Sequence, residues 1–215
     1  AHGLTVGPDD SLYCVDDEGH CVRKCTVDGE VLMTLGTPSQ PAPYQSGRPF
    51  NRPTKVALAP ATGEIYVADG YGNARVHKFS AEGEYLFSWG EYGADPGQFD
   101  LVHSICTDAK GYVYVADRES HRVQVFDPSG HYLTQWNNLH RPCGLYIHGD
   151  EEQLGYIGQL GPGLSVNETY PNLGARVSIH DLQGRRLAWL GDLRPGEGPG
   201  QFLAPHGLAV DSRGD

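Results

Sequence analysis

The sequence predicts an all-β protein built as a β-propeller, and three observations carry that prediction. A strand–turn–strand phrase recurs along the chain, each recurrence adds a third strand after a glycine turn, and a short apolar strand precedes every set. Self-similarity at a spacing of several tens of residues marks a repeat architecture, and four strands per unit joined by tight turns mark a propeller blade.

The recurring phrase reads "SLYCVDDEGHCVRKC" from Ser11, "EIYVADGYGNARVHKF" from Glu64 and "YVYVADRESHRVQVF" from Tyr112. In each, an alternating apolar strand ends in Asp (Asp16, Asp69, Asp117) and a short turn leads to a second alternating strand. The third strands follow as "DGEVLMTLG", "EGEYLFSWG" and "SGHYLTQWN". A fourth copy is interrupted: "LGYIGQLG", an irregular insertion, then "ARVSIHDLQGRRLAWLG". Ahead of the sets stand "HGLTVGPD", "TKVALAPATG", "HSICTDAKG", "CGLYIHGDEE" and finally "HGLAVDSRG", so four repeats and the first strand of a fifth are present. Aligned on His2, Thr54, His103, Cys143 and His206, the steps are 52, 49, 40 and 63 residues. This alignment puts Phe79, Phe126 and Val177 at equivalent buried third-strand positions and Trp89, Trp136 and Trp189 near equivalent outer-strand ends.

Composition agrees. The 215 residues hold 29 Gly and 15 Pro with 39% hydrophobic residues, a turn-rich globular balance. Residues 1–215 read as one domain, large enough for a real core. The chain opens without Met and closes just after a turn, so it reads as a piece truncated at both ends. No apolar run is long enough to span a membrane. Net charge is −11 with no basic cluster, which argues against a nucleic-acid backbone as partner.

Five cysteines are an odd number. Cys14, Cys25 and Cys106 stand where neighbouring repeats carry apolar residues, so they read as small buried hydrophobes. A Cys14–Cys25 or Cys14–Cys21 bridge is the alternative. Asn167-Glu168-Thr169 is a glycosylation triplet, a pattern that also occurs often by chance.

The first strand of each blade lines the central channel of a propeller. His2, His103 and His206 fall on one register of that strand in units one, three and five. In a six-bladed ring, alternate blades stand about 120° apart, so three imidazoles converge on the axis. Three protein nitrogens with a fourth position open is what a catalytic zinc takes. Thr54 and Cys143 fill the intervening blades, so histidine is not the default residue of the repeat; Cys143, out of phase with the tripod, reads as structural. The plainer alternative is that each His hydrogen-bonds a neighbouring blade.

"RPTKVALAPATGEIYVADGYGNARVHKFSAEGEYLFSWG" resembles an NHL repeat, and the whole chain is similar to that family of propellers, whose members commonly have six blades. Within it the chain resembles the peptidyl-α-hydroxyglycine α-amidating lyases, which split a hydroxyglycine-extended peptide into peptide amide and glyoxylate with zinc held by three histidines. That resemblance implies zinc ligation by His2, His103 in "LVHSI" and His206 in "APHGL", an active-site tyrosine at Tyr71 in "VADGYGNARV", and an active-site arginine at Arg118 in "VADRES". It also implies a structural calcium touching the Leu4 carbonyl. Left to the residues alone, Tyr71 could be a turn aromatic packed between blades and Arg118 an inter-blade salt bridge.

The chain departs from the lyase pattern in places. The Asp that follows the third histidine and helps hold calcium is Gly207 here, a methionine two residues before that histidine is Ala204, and a disulfide cysteine after the tyrosine is Gly72. A further family arginine would precede His2. The expectation is therefore a metal-binding NHL propeller with lyase-type chemistry on a peptide-like small substrate. The alternative is a non-catalytic platform that binds a protein partner on one face. The lyase resemblance favours a secreted or periplasmic setting.

Overall fold

Sixteen strands form four separate antiparallel sheets of four in the computed structural model, which describes residues 2–149, 152–168, 170, 173–211 and 213. Blade one holds β1 (Leu4–Val6), β2 (Leu12–Asp16), β3 (Cys21–Cys25) and β4 (Val31–Leu35). Blade two holds β5 (Lys55–Leu58), β6 (Ile65–Asp69), β7 (Arg75–Phe79) and β8 (Tyr85–Trp89). Blade three holds β9 (Val102–Thr107), β10 (Val113–Asp117), β11 (Arg122–Phe126) and β12 (Tyr132–Trp136). Blade four holds β13 (Pro142–His148), β14 (Leu154–Gln159), β15 (Arg176–Asp181) and β16 (Arg186–Leu190). Strands pair in chain order within every blade. The first strands β1, β5, β9 and β13 lie against one another in sequence around the axis. The protein is a four-bladed stretch of β-propeller.

Why the blades stack is visible in their turns. The glycine between the third and fourth strands has positive φ in each blade: Gly29 (90°), Gly83 (90°), Gly130 (81°) and Gly184 (84°). Only glycine takes that conformation without strain. The last residue of each outer strand then covers the glycine of the next blade. Leu35 reaches Gly83, Trp89 reaches Gly130 and Trp136 reaches Gly184. Three apolar cores result, one between each pair of consecutive blades, centred on Val15, Phe50 and Ile65, on Tyr66, Val102 and Phe126, and on Tyr114, Trp136 and Ile157.

This register corrects one of the expected equivalences. Val177 is buried as expected, but it aligns with Val76 and Val123. The slot of Phe79 and Phe126 is taken by His180, stacked on Trp136 with rings 8° apart. A bulge recurs just before this residue in all four blades. Trp89, Trp136 and Trp189 lie near equivalent outer-strand ends as expected: Trp89 and Trp136 align with Leu190, and Trp189 sits one residue earlier, under the guanidinium of Arg176.

The five thiols are free, so neither bridge is formed. Cys25 is buried, but Cys14 and Cys106 are only half-buried. The described residues of the expected fifth inner strand, 206–211 and 213, carry no strand ladder, because a strand exists only where a neighbour supplies hydrogen bonds. Thr169 of the glycosylation triplet lies outside the described residues. No helix among those residues is long and apolar enough to cross a membrane.

Candidate metal centre

His2, His103 and His206 meet at the axis. Their nearest ring nitrogens lie within 4.8 Å of one another, and their ring centroids are 4.5–5.0 Å apart. His103 is buried, His2 half-buried and His206 exposed.

The intervening blades orient these rings. His2 Nδ1 lies 2.8 Å from the Thr54 carbonyl and His103 Nδ1 lies 2.8 Å from the Cys143 carbonyl. A carbonyl only accepts, so both Nδ1 atoms carry the proton and both Nε2 atoms present a lone pair. This is the orientation that metal-binding imidazoles take, with the second nitrogen held by a backbone carbonyl. Thr54 and Cys143 also act forward along the ring. The Thr54 hydroxyl donates to the carbonyls of Ala68 and Val102, and Val102 precedes His103. The Cys143 thiol donates to the carbonyls of Gly158 and Pro205, and Pro205 precedes His206. Each non-histidine position therefore clamps the histidine on either side.

Tyr71 caps the cluster. Its hydroxyl lies 3.1 Å from His2 Nε2 and 3.2 Å from His103 Nε2. Two acceptor nitrogens face one phenolic proton, so one lone pair is left without a donor. A cation at the centre satisfies that shortage, and the donor set is the one zinc prefers. Tetrahedral zinc holds its nitrogens about 3.4 Å apart, so small ring rotations complete the geometry. The residues present fit the metal.

The turn that carries Tyr71 tolerates only glycine on either side. A Cβ at Gly70 would stand 1.7 Å from the Val102 carbonyl oxygen, and one at Gly72 would stand 2.2 Å from Asn51 Oδ1. Where the lyase pattern has a cysteine, this chain has turned the space over to Asn51.

Burial holds all three imidazoles below the ordinary histidine range, and the Arg118 cation adds to the effect. For His103 the value falls to about 3. Neutral rings, ready to ligate, are the form at neutral pH.

Two guanidiniums flank the phenol. Arg118 lies 5.7 Å from the Tyr71 ring centroid, its Nε bonded to Glu119 at 2.7 Å; Glu119 in turn holds Arg141 of blade four. Arg52 lies closer, 4.8 Å from the same ring, paired with Asp17 at 2.8 Å. Reading the sequence missed Arg52. The signal was the pair Arg-Pro recurring two residues before Thr54 and Cys143, as Arg52-Pro53 and Arg141-Pro142. Leu4 lies further down the channel, with its carbonyl accepting from the Lys55 ammonium.

The NHL repeat family matches residues 50–79 and 99–126. These two stretches of the chain are NHL repeats. Along its whole length the propeller is 37% identical to peptidyl-alpha-hydroxyglycine alpha-amidating lyase 1 of Drosophila melanogaster, of which it spans 41%. Over 123 residues, 56% of the chain, it is 38% identical to NHL repeat-containing protein 3 of Homo sapiens, of which it spans 35%. The propeller thus spans less than half the length of these curated relatives. Among solved structures, the hydrazine synthase of Kuenenia stuttgartiensis superposes with a TM-score of 0.64 at 16% identity, covering 88% of this chain and 51% of that one. That likeness is one of fold alone.

Proposed function

We propose that this NHL propeller is a zinc-dependent lyase acting on peptidyl-α-hydroxyglycine, cleaving the C–N bond to release a peptide amide and glyoxylate. The observation that carries the reading is the Tyr71 hydroxyl within 3.2 Å of two imidazole nitrogens whose lone pairs point to one centre. Similarity over the full chain to a protein named for that reaction supports it.

His2, His103 and His206 would hold the zinc, which supplies Lewis-acid polarisation of the substrate hydroxyl. Tyr71 sits beside that position, flanked by the guanidiniums of Arg52 and Arg118, and acts as the base that takes the hydroxyl proton. As the C–O bond becomes the carbonyl of glyoxylate, the C–N bond breaks and the nitrogen leaves as the amide, taking a proton. Arg118 offers a fork of donors to the substrate carboxylate. The shared Glu119 holds that arginine in place between blades three and four.

The test is glyoxylate release from an α-hydroxyglycine peptide by the zinc-loaded protein. A match of 38% identity over 56% of the chain to a relative named only for its repeats, together with Gly207 and Ala204, favours a second reading, a non-catalytic platform binding a protein on one face. Stoichiometric zinc without glyoxylate would select it.

A further inference from the structure

Beneath the tripod the inner strands enclose an axial channel of about 380 Å³, lined by the histidines, Leu4, Lys55, Ser104, Leu145 and the glycines between them. No carboxylate is among its lining residues. Lys55 enters from β5, and its ammonium donates to the Leu4 carbonyl of blade one. Gly3 makes room for it: a Cβ there would stand 3.1 Å from Lys55 Cδ and 2.4 Å from the Thr54 carbonyl oxygen.

The lyase resemblance implies calcium on that same Leu4 carbonyl. Calcium takes six to eight oxygen ligands, carboxylates among them. No carboxylate lines this channel, its Leu4 carbonyl already faces a cation, and the position that carries the family's Asp is Gly207. The residues do not fit calcium.

We propose that Lys55 is the resident cation of this channel: its ammonium, tethered to blade two, ties down the Leu4 carbonyl of blade one and takes the place of a bound calcium ion. One cation site at the axis is then metal and the other is part of the chain. The inference goes beyond the lyase reading and does not depend on it, since zinc content and glyoxylate release are measured separately.

The experiment uses the zinc-loaded protein in calcium-free buffer, with calcium titrated by calorimetry and melting temperature recorded. Four forms are compared: wild type, Lys55→Met, Gly207→Asp and the double variant. A side chain at position 207 meets open space, so the Asp is sterically free. The wild type is expected to take up no calcium and to melt at the same temperature with or without it. Lys55→Met is expected to melt a few degrees lower, since a charged hydrogen bond between blades is lost. The double variant is expected to gain calcium binding and a calcium-dependent rise in melting temperature. Stoichiometric calcium binding by the wild type would overturn the proposal, as would a Lys55→Met protein that melts like the wild type. If the double variant does not fold, those two measurements alone decide.

Discussion

His103 and Cys143, which occupy the same register in adjacent blades, are joined by a 2.8 Å hydrogen bond from the imidazole Nδ1–H to the cysteine carbonyl. His2 and Thr54 repeat it one blade pair earlier. Alternation of histidine with a small donor residue is therefore one device: one blade contributes the nitrogen, and the next fixes its tautomer and aim.

The clamp predicts the behaviour of Thr54. Thr54→Val keeps size and carbonyl but removes the hydroxyl that holds Val102, the residue before His103. Zinc affinity should fall by about 10–100-fold, as when orienting partners of metal ligands are lost. Thr54→Ser should restore it. Competition with a chromogenic chelator reads both, and unchanged affinity in the valine variant would show that the hydroxyl only packs.

Metal content itself is the next measurement. Elemental analysis should find near-stoichiometric zinc in protein never exposed to chelator, and a sharp loss in His103→Ala. His103 is the most buried of the three ligands, so water cannot substitute for it cheaply.

Tyr71→Phe should separate chemistry from ligation. Glyoxylate release should drop by about 10²–10⁴-fold, the usual cost of losing a general base, with zinc content unchanged. A loss below about tenfold would remove Tyr71 from the role of base.

Acid should destabilise the metal-free protein. Burial lowers the folded-state pKa of His103 to about 3, from an ordinary value of 6.5, and lowers those of His2 and His206. Between those limits the unfolded chain binds more protons than the folded one, so stability rises with pH there. The melting temperature of chelator-treated protein should fall as pH drops from about 6.5 toward 3. Zinc-loaded protein should hold its melting temperature further into acid, because the metal competes with protons for the same nitrogens.

The blade-to-blade lock gives a stability prediction away from the site. Trp136 is 2% exposed and fills the space between blades three and four, over Gly184 and against His180. Trp136→Ala should cost about 3–5 kcal/mol, measured by denaturant unfolding.

What sequence alone determined is what repeats. Alternation of apolar residues, Asp at strand ends and glycine at turns are local requirements of a strand and a tight turn, so they recur wherever a blade does. They made the four blades legible, and the common register of His2, His103 and His206 followed from that periodicity. Tertiary structure decided what depends on neighbours across blades. His180 took the slot expected for Val177, stacked on Trp136 of the preceding blade, and Arg52 came to lie over Tyr71. Thr54 and Cys143 became clamps, and Lys55 reached the Leu4 carbonyl 51 residues away. These contacts run between blades and not along a strand. They are fixed only when adjacent sheets pack at contact distance, where each unshared proton and each missing Cβ must find its counterpart in the next blade.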